Sequence, residues 1–269
     1  MYLEYYGLKE FPFNITPDPR YLYLSRHHKE AFDHLYYGIS ARKGFIELTG
    51  EVGSGKTTLC RAVLSHLGDT VRTALVLNPF LTETQLLRAI LQDFGLTPTG
   101  RDKLAYTNQL NAYLLEQNRN GINVALIIDE AQNLSFELLE QIRLLSNLET
   151  DQHKLLQIVL SGQPELREVL SRPQLRQLRQ RILVRFHLHP LDVEDAAAYI
   201  GHRLRTAGAD ESVGFDAGAI ELIFKASGGV PRLINALGDH AMLAGYVLGR
   251  KRIDAACVAM AVKQLEGTP

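Results

Sequence analysis

The sequence predicts an α/β fold: a five-stranded, mostly parallel sheet flanked by helices over residues 31–190, followed by a small all-helical domain over 191–269. Three observations predict it. Five short apolar runs alternate with segments of helical periodicity, which is the pattern of right-handed βαβ units. Between the first run and a helix-like stretch stands Gly50-Glu51-Val52-Gly53-Ser54-Gly55-Lys56-Thr57, of the form G-x-x-x-x-G-K-[ST], a phosphate-binding P-loop in the strand-to-helix context that such a loop needs. Beyond Pro190 the strand-like runs stop and only helical patterns remain.

In chain order, residues 1–30 are rich in aromatic rings and proline (Phe11-Pro12-Phe13, Thr16-Pro17-Asp18-Pro19) and predict an extended arm whose rings pack on the core of the α/β domain. A helix begins near His28 with Ala31, Phe32, Leu35 and Ile39 on one face and leads into the strand 45–49. The helix after the P-loop ends near Gly68, and 71–77 is a buried strand closed by Asn78-Pro79. Thr82-Glu83-Thr84-Gln85 has the form of a capping box and opens an amphipathic helix that Gly95 stops; a further helix runs from Asp102 to about Arg119. Continuous apolar runs at 124–128 and 155–160 read as strands buried on both faces, separated by a helix over 135–148. A short helix from Pro164, an arginine-rich helix from about Gln174 and a strand at 183–188 complete the series. In the last domain, Asp192, Asp216 and Asp254 are N-cap residues, Pro231 takes a first-turn position, and glycines 208, 228 and 249 mark ends, which makes four helices.

Composition excludes several classes. A 269-residue chain that is 46% hydrophobic and 22% charged can bury a large core, and a net charge of −1 supplies no overall field for nucleic acid or an anionic surface. Two cysteines, Cys60 and Cys257, lie outside any ligand or framework spacing and suit a reducing cytoplasm. No apolar run approaches the about 18 residues of a spanning helix, and the N-terminus lacks the features of a secretory leader.

The P-loop spacing has a physical reason: glycines let the backbone aim successive N–H groups inward at a helix N-terminus, where a triphosphate is stabilised. Lys56 then reaches the β- and γ-phosphates, and the Thr57 hydroxyl takes a place on Mg²⁺. Asp129-Glu130 follows the apolar run 124–128, so both carboxylates sit at the carboxyl end of a strand, where an open parallel sheet binds ligands. Asp129 suits a carboxylate that holds Mg²⁺, and Glu130 one that orients and deprotonates an attacking water. His187 and His189 alternate along a strand without acidic or cysteine partners at ligand spacing, and Cys60 reads as a small packing residue.

Taken together, Phe11-Pro12-Phe13, the 16–20 arm, the P-loop through Thr58, Asp129-Glu130-Ala131-Gln132, Gly162-Gln163-Pro164-Glu165-Leu166, the 175–182 segment and Gly229-Val230-Pro231-Arg232-Leu233-Ile234-Asn235 resemble the ExeA/GspA family of AAA+ ATPases. That family comprises the cytoplasmic ATPase portions of general secretion pathway protein A and its relatives. The resemblance implies a P-loop NTPase core with an AAA+ lid, and ATP hydrolysis with Mg²⁺. It further implies a homo-oligomer whose site is completed in trans, and a role in assembling a type II secretion, pilus or related envelope system.

By the same resemblance, Asn78 matches a polar group that can hold the catalytic glutamate away from water, or else caps its turn. Ser161, nearest the strand end, is favoured over Gln163 as the group sensing the γ-phosphate. Arg181 is the arginine finger for the neighbouring subunit, with Arg176 in reserve, while Arg172, Arg179 and Arg185 read as a solvated face. Arg232 takes the position that reads the γ-phosphate from the lid. Family members continue into a transmembrane helix and a peptidoglycan-binding region, so the resemblance places this portion in the cytoplasm, at the inner membrane face if a spanning segment follows Pro269. A rival reading, a DNA-bound ATP switch of the transposition-regulator type, has the arginine cluster and Arg250-Lys251-Arg252 as its contacts.

Overall fold

The computed structural model describes residues 2–15, 18–77, 80–150 and 153–265, in two compact units. Residues 28–50 and 59–188 form one; residues 1–27, 51–58 and 189–269 form the other.

The first unit is built on five parallel strands, β1 (Phe45–Gly50), β2 (Val71–Val76), β3 (Asn123–Ile128), β4 (Gln157–Gly162) and β5 (Ile182–Leu188), in the order β2-β3-β4-β1-β5. Each pair is in parallel register, for example Val76 opposite Ile128 and Ile128 opposite Leu160. Because successive side chains of a strand point to opposite faces, one apolar run supplies two cores. Val124, Leu126 and Ile128 join a cluster with Leu86, Ile90 and Leu139, while Ala125 and Ile127 join another with Leu35, Ile39, Leu59 and Val63.

The helices that cover the sheet end where their residues dictate. Helices α2 (Arg26–Ser40) and α3 (Lys56–Leu67) contribute to the second of these cores. Thr82 and Gln85 form a reciprocal capping box at the start of α4 (Glu83–Asp93), and Asp102 Oδ1 accepts from Ala105 N at the start of α5 (Lys103–Arg119). Ser135 caps α6 (Phe136–Leu145), which stops three residues before the expected end. Two short helices, α7 (Glu165–Ser171) and α8 (Arg176–Arg181), precede β5.

The second unit carries α9 (Val193–Thr206), α10 (Ala217–Ser227), α11 (Pro231–Val247) and α12 (Ala255–Leu265). Asp192, Asp216 and Asp254 each accept from the backbone N–H three residues on, at 2.7, 2.7 and 3.1 Å. Two differences from the sequence expectation stand out. This unit is not wholly helical: β6 (Gly214–Phe215) and β7 (Arg252–Ile253) pair in parallel, a ladder too short to leave a period-2 signature. The N-terminal arm is not wholly extended either. Tyr2–Tyr6 form the helix α1, since the first proline comes only at Pro12.

The rings of the arm also have a different partner from the one expected. Tyr2, Tyr6, Leu8, Phe13 and Tyr21 are buried in one cluster with Leu191, Tyr199, Phe215 and Ile234 of the helical unit. Arg203, 6% exposed, fastens the arm by donating to the carbonyls of Pro12 and Asn14 and to the Tyr199 hydroxyl, with its guanidinium over the Tyr21 ring. A buried guanidinium needs most of its donors engaged, and these carbonyls engage them.

Candidate functional site

The P-loop leaves β1 at Gly50 and enters α3 at Lys56. Gly53 and Gly55 have φ of +78° and +101°, a region that L side chains rarely adopt, so the tight return of the loop depends on glycine. The Glu51 carbonyl gathers the loop: it accepts from Ser54 N at 3.1 Å and from Lys56 Nζ at 2.9 Å. Lys56 is 6% exposed and Ser54 is buried, whereas Val52 lies open to solvent and Thr57 and Thr58 are half-buried.

Within the same compact unit, the start of α11 closes on this loop. Pro231 at the first helical position has no N–H to satisfy, and the next donor, Arg232 N, goes to the Gly53 carbonyl at 3.3 Å. The stem of Arg232 lies against Gly53, where a Cβ would stand 2.5 Å from Arg232 Cβ. The arginine singled out in the lid and the glycine turn are therefore in direct contact.

The other unit carries its own candidate group at the carboxyl end of β3. Asp129 N continues the ladder by donating to Val76 O at 2.9 Å, after which Glu130 takes a left-handed conformation with φ +51°. A non-glycine residue there costs about 1–2 kcal/mol, strain of the kind that accumulates at functional sites. Asp129 is 4% exposed, and its Oδ1 accepts from Ser161 Oγ at 2.7 Å and from Glu130 N at 3.0 Å. Glu130 is half-buried; its Oε2 accepts from Gln132 Nε2 at 2.6 Å and Gln163 Nε2 at 3.2 Å. The two carboxylates thus differ in kind, one locked into the strand end and one held by amide donors.

Several sequence-derived assignments look different in three dimensions. Ser161 is fully buried and its hydroxyl is engaged by Asp129, while the neighbouring Gln163 side chain reaches the Glu130 carboxylate. Arg181 Nη1 donates to Arg143 O, Ser146 Oγ and Asn147 Oδ1, at 3.2, 2.5 and 2.7 Å, and so satisfies the C-terminal end of α6. The guanidinium of Arg176, exposed on α8, has no polar partner among the described residues. Arg185 is not simply solvated: with Arg167 it pairs the buried Glu47 of β1, and its Nη2 donates to Arg179 O at 2.7 Å. Asn78 lies outside the described residues. His187 Nδ1 stands 3.0 Å from Thr49 Oγ1, and Cys60 is buried beside Leu59 in the core.

Sequence reasoning missed Gln132. It stands two residues past Glu130 in a strand-to-helix turn, but nothing in one dimension shows that its amide meets both Glu130 and the Gln163 backbone.

Comparison with known proteins places the chain. Residues 39–170 match the AAA domain. Over 270 residues, 99% of this chain, it is 45% identical to general secretion pathway protein A of Aeromonas hydrophila. The chain carries an AAA domain and is similar to general secretion pathway protein A. It spans about half, 49%, of that relative's length. Among solved structures, the Aeropyrum pernix ORC2 protein matches with a TM-score of 0.69 and 20% identity, over 95% of this chain and 72% of that one. The Thermotoga maritima RuvB Holliday junction branch migration motor matches at 0.60 and 20%, over 90% and 70%. At that identity the likeness is one of fold alone. No helix among the described residues is long and apolar enough to cross a membrane.

Proposed function

We propose that this AAA chain is a Mg²⁺-dependent ATPase, active as a homo-oligomer, that energises assembly of a type II secretion or related envelope system from the cytoplasmic side. The observation that carries the hydrolytic reading is the division of labour at the end of β3. Asp129 is buried and fixed through one oxygen by Ser161 and Glu130 N, while Glu130 keeps a half-exposed carboxylate aimed by amides. Both directly follow β3 of the parallel sheet.

In this reading the loop amides and Lys56 bind the phosphates, Glu130 orients and deprotonates the attacking water, and Arg232 reads the γ-phosphate from the lid. A hydroxyl and a carboxylate form a hard oxygen donor set of the kind Mg²⁺ takes, so Thr57 and Asp129 would hold the ion, which neutralises developing phosphate charge. Gln163 takes the sensing role in place of Ser161, because its amide is the one outside the buried pair. Arg176 takes the finger role in place of Arg181, because its guanidinium is uncommitted. The DNA-bound alternative is weaker: Arg250 pairs with Asp254, and Lys251 donates to the Tyr5 carbonyl, so two of the three residues in Arg250-Lys251-Arg252 are engaged within the chain.

Phosphate release with and without Mg²⁺ tests the reading in wild type, Lys56→Ala and Glu130→Gln. Lys56→Ala is expected to lose ATP affinity, and Glu130→Gln to keep affinity while losing turnover by about 10²-fold or more. Equal turnover in Glu130→Gln and wild type would remove Glu130 as the base.

A further inference from the structure

We infer that Gln132 is a positioning residue which couples the water-activating carboxylate to the γ-phosphate sensor, an inference that rests on the ATPase reading above. Both ends of its amide are in use. Nε2 donates to Glu130 Oε2 at 2.6 Å, and Oε1 accepts from Gln163 N at 3.0 Å. Gln163 in turn donates its own side-chain amide to the same Glu130 oxygen at 3.2 Å. The three residues therefore close a ring of hydrogen bonds in which Gln132 touches both other members.

The backbone is shaped around this ring. Glu130 occupies a left-handed conformation that needs outside support, and at Gly162 a Cβ would stand 2.7 Å from Gln132 Oε1, so the position beside the amide is kept clear. Gln132 is itself half-buried on a short 3₁₀ turn (Ala131–Asn133).

The two donors on Glu130 are not equivalent. Gln163 follows the end of β4 at the sheet's carboxyl edge, and if its amide turns to a γ-phosphate, its bond to Glu130 is given up. Gln132, held at its other end by the Gln163 backbone, keeps the carboxylate aimed while that exchange occurs. A carboxylate has about four lone-pair sites, so two amide bonds on Oε2 leave Oε1 able to accept a proton from water. Gln132 thus lets the sensor change partner without releasing the base.

The test is a double-mutant cycle in the intact chain, with ATP affinity and kcat measured separately. Gln132→Leu removes both bonds; Gln132→Glu keeps the shape and the acceptor but sets a carboxylate against Glu130. Both are expected to lower kcat on the order of 10- to 100-fold, as loss of a hydrogen bond to a charged group does, with ATP affinity changed less than about 3-fold. In a Glu130→Gln background, Gln132→Leu is expected to cause no further loss, because the group it positions is already gone. A purely structural role would lower turnover equally in both backgrounds, and that result, or kcat within about 2-fold of wild type for both single variants, overturns the inference. A wild-type chain that neither binds nor hydrolyses ATP would overturn the ATPase reading and this inference with it; normal wild-type turnover with unaffected Gln132 variants would overturn this inference alone.

Discussion

Replacing Gly53 by alanine puts the contact between the P-loop and α11 under direct load. The residue sits at φ +78°, and the added methyl would lie 2.5 Å from Arg232 Cβ and 3.1 Å from Arg232 Cδ. Holding alanine in the left-handed region costs about 1–2 kcal/mol. The clash adds about 1–3 kcal/mol, since the nearest atom is the root of the arginine side chain and cannot swing aside. Relief requires the first turn of α11 to retreat, losing the Arg232 N to Gly53 O bond, or the loop to flatten and turn its amides from the phosphates. Taking about 2 kcal/mol as the lower bound, nucleotide affinity should fall at least about 30-fold. Calorimetric titration of ATP into Gly53→Ala measures this, with Gly68→Ala as control: Gly68 also has positive φ, +56°, but a Cβ there meets nothing within 4 Å. The control should lower Tm and leave affinity unchanged. If Gly53→Ala bound ATP within about 3-fold of wild type, the proposed mechanical role of this glycine would be wrong.

Three further outcomes are expected. Arg181→Ala should lower Tm, by an amount corresponding to about 1–3 kcal/mol, because three acceptors at the end of α6 lose their donor. Arg176→Ala should melt like wild type yet turn over ATP on the order of 10³-fold more slowly, and mixing it with Lys56→Ala subunits should restore activity; failure to recover would count against a shared site. At high pH the helical unit should weaken. Burial pushes the Tyr21 phenol up to about 12 and also raises Tyr2 and Tyr6. An unfolded phenol ionises near pH 10, so above that the unfolded state binds fewer protons than the folded one; this stability is whole below about pH 10 and is lost as pH rises toward 12. Melting curves taken alongside absorbance at the phenolate band would show it, and phenols titrating near 10 with no fall in Tm would contradict it.

Much of this molecule was legible in one dimension because its signals are local and redundant. The octet 50–57, the apolar runs of β3 and β4, and the caps Thr82, Asp192, Asp216 and Asp254 each announce themselves within a few residues. What stayed hidden depends on distant partners. Arg181 and Arg176 look equally available in a string of arginines; only the approach of the α6 end separates them. Ser161 and Gln163 both stand near a strand end, and the choice turns on which pleat face carries the hydroxyl into Asp129. Two residues of ladder at 214–215 cannot display a period, and the aromatic arm carries no mark of which core its rings will enter.

The burial of the arm among C-terminal helices has a consequence for how the protein is made. Tyr6 donates to the carbonyls of Met242 and Arg250, and Phe13 packs beneath Gly238. A nascent chain emitting about 5–20 residues per second must therefore wait roughly 10–50 s between exposing these tyrosines and producing the surface that shelters them. Meanwhile the span from 28 to 188 can finish its sheet on the ribosome. The sticky arm is the natural client for a chaperone during that interval, and a bulky fusion set against it would compete with the docking that ends the wait.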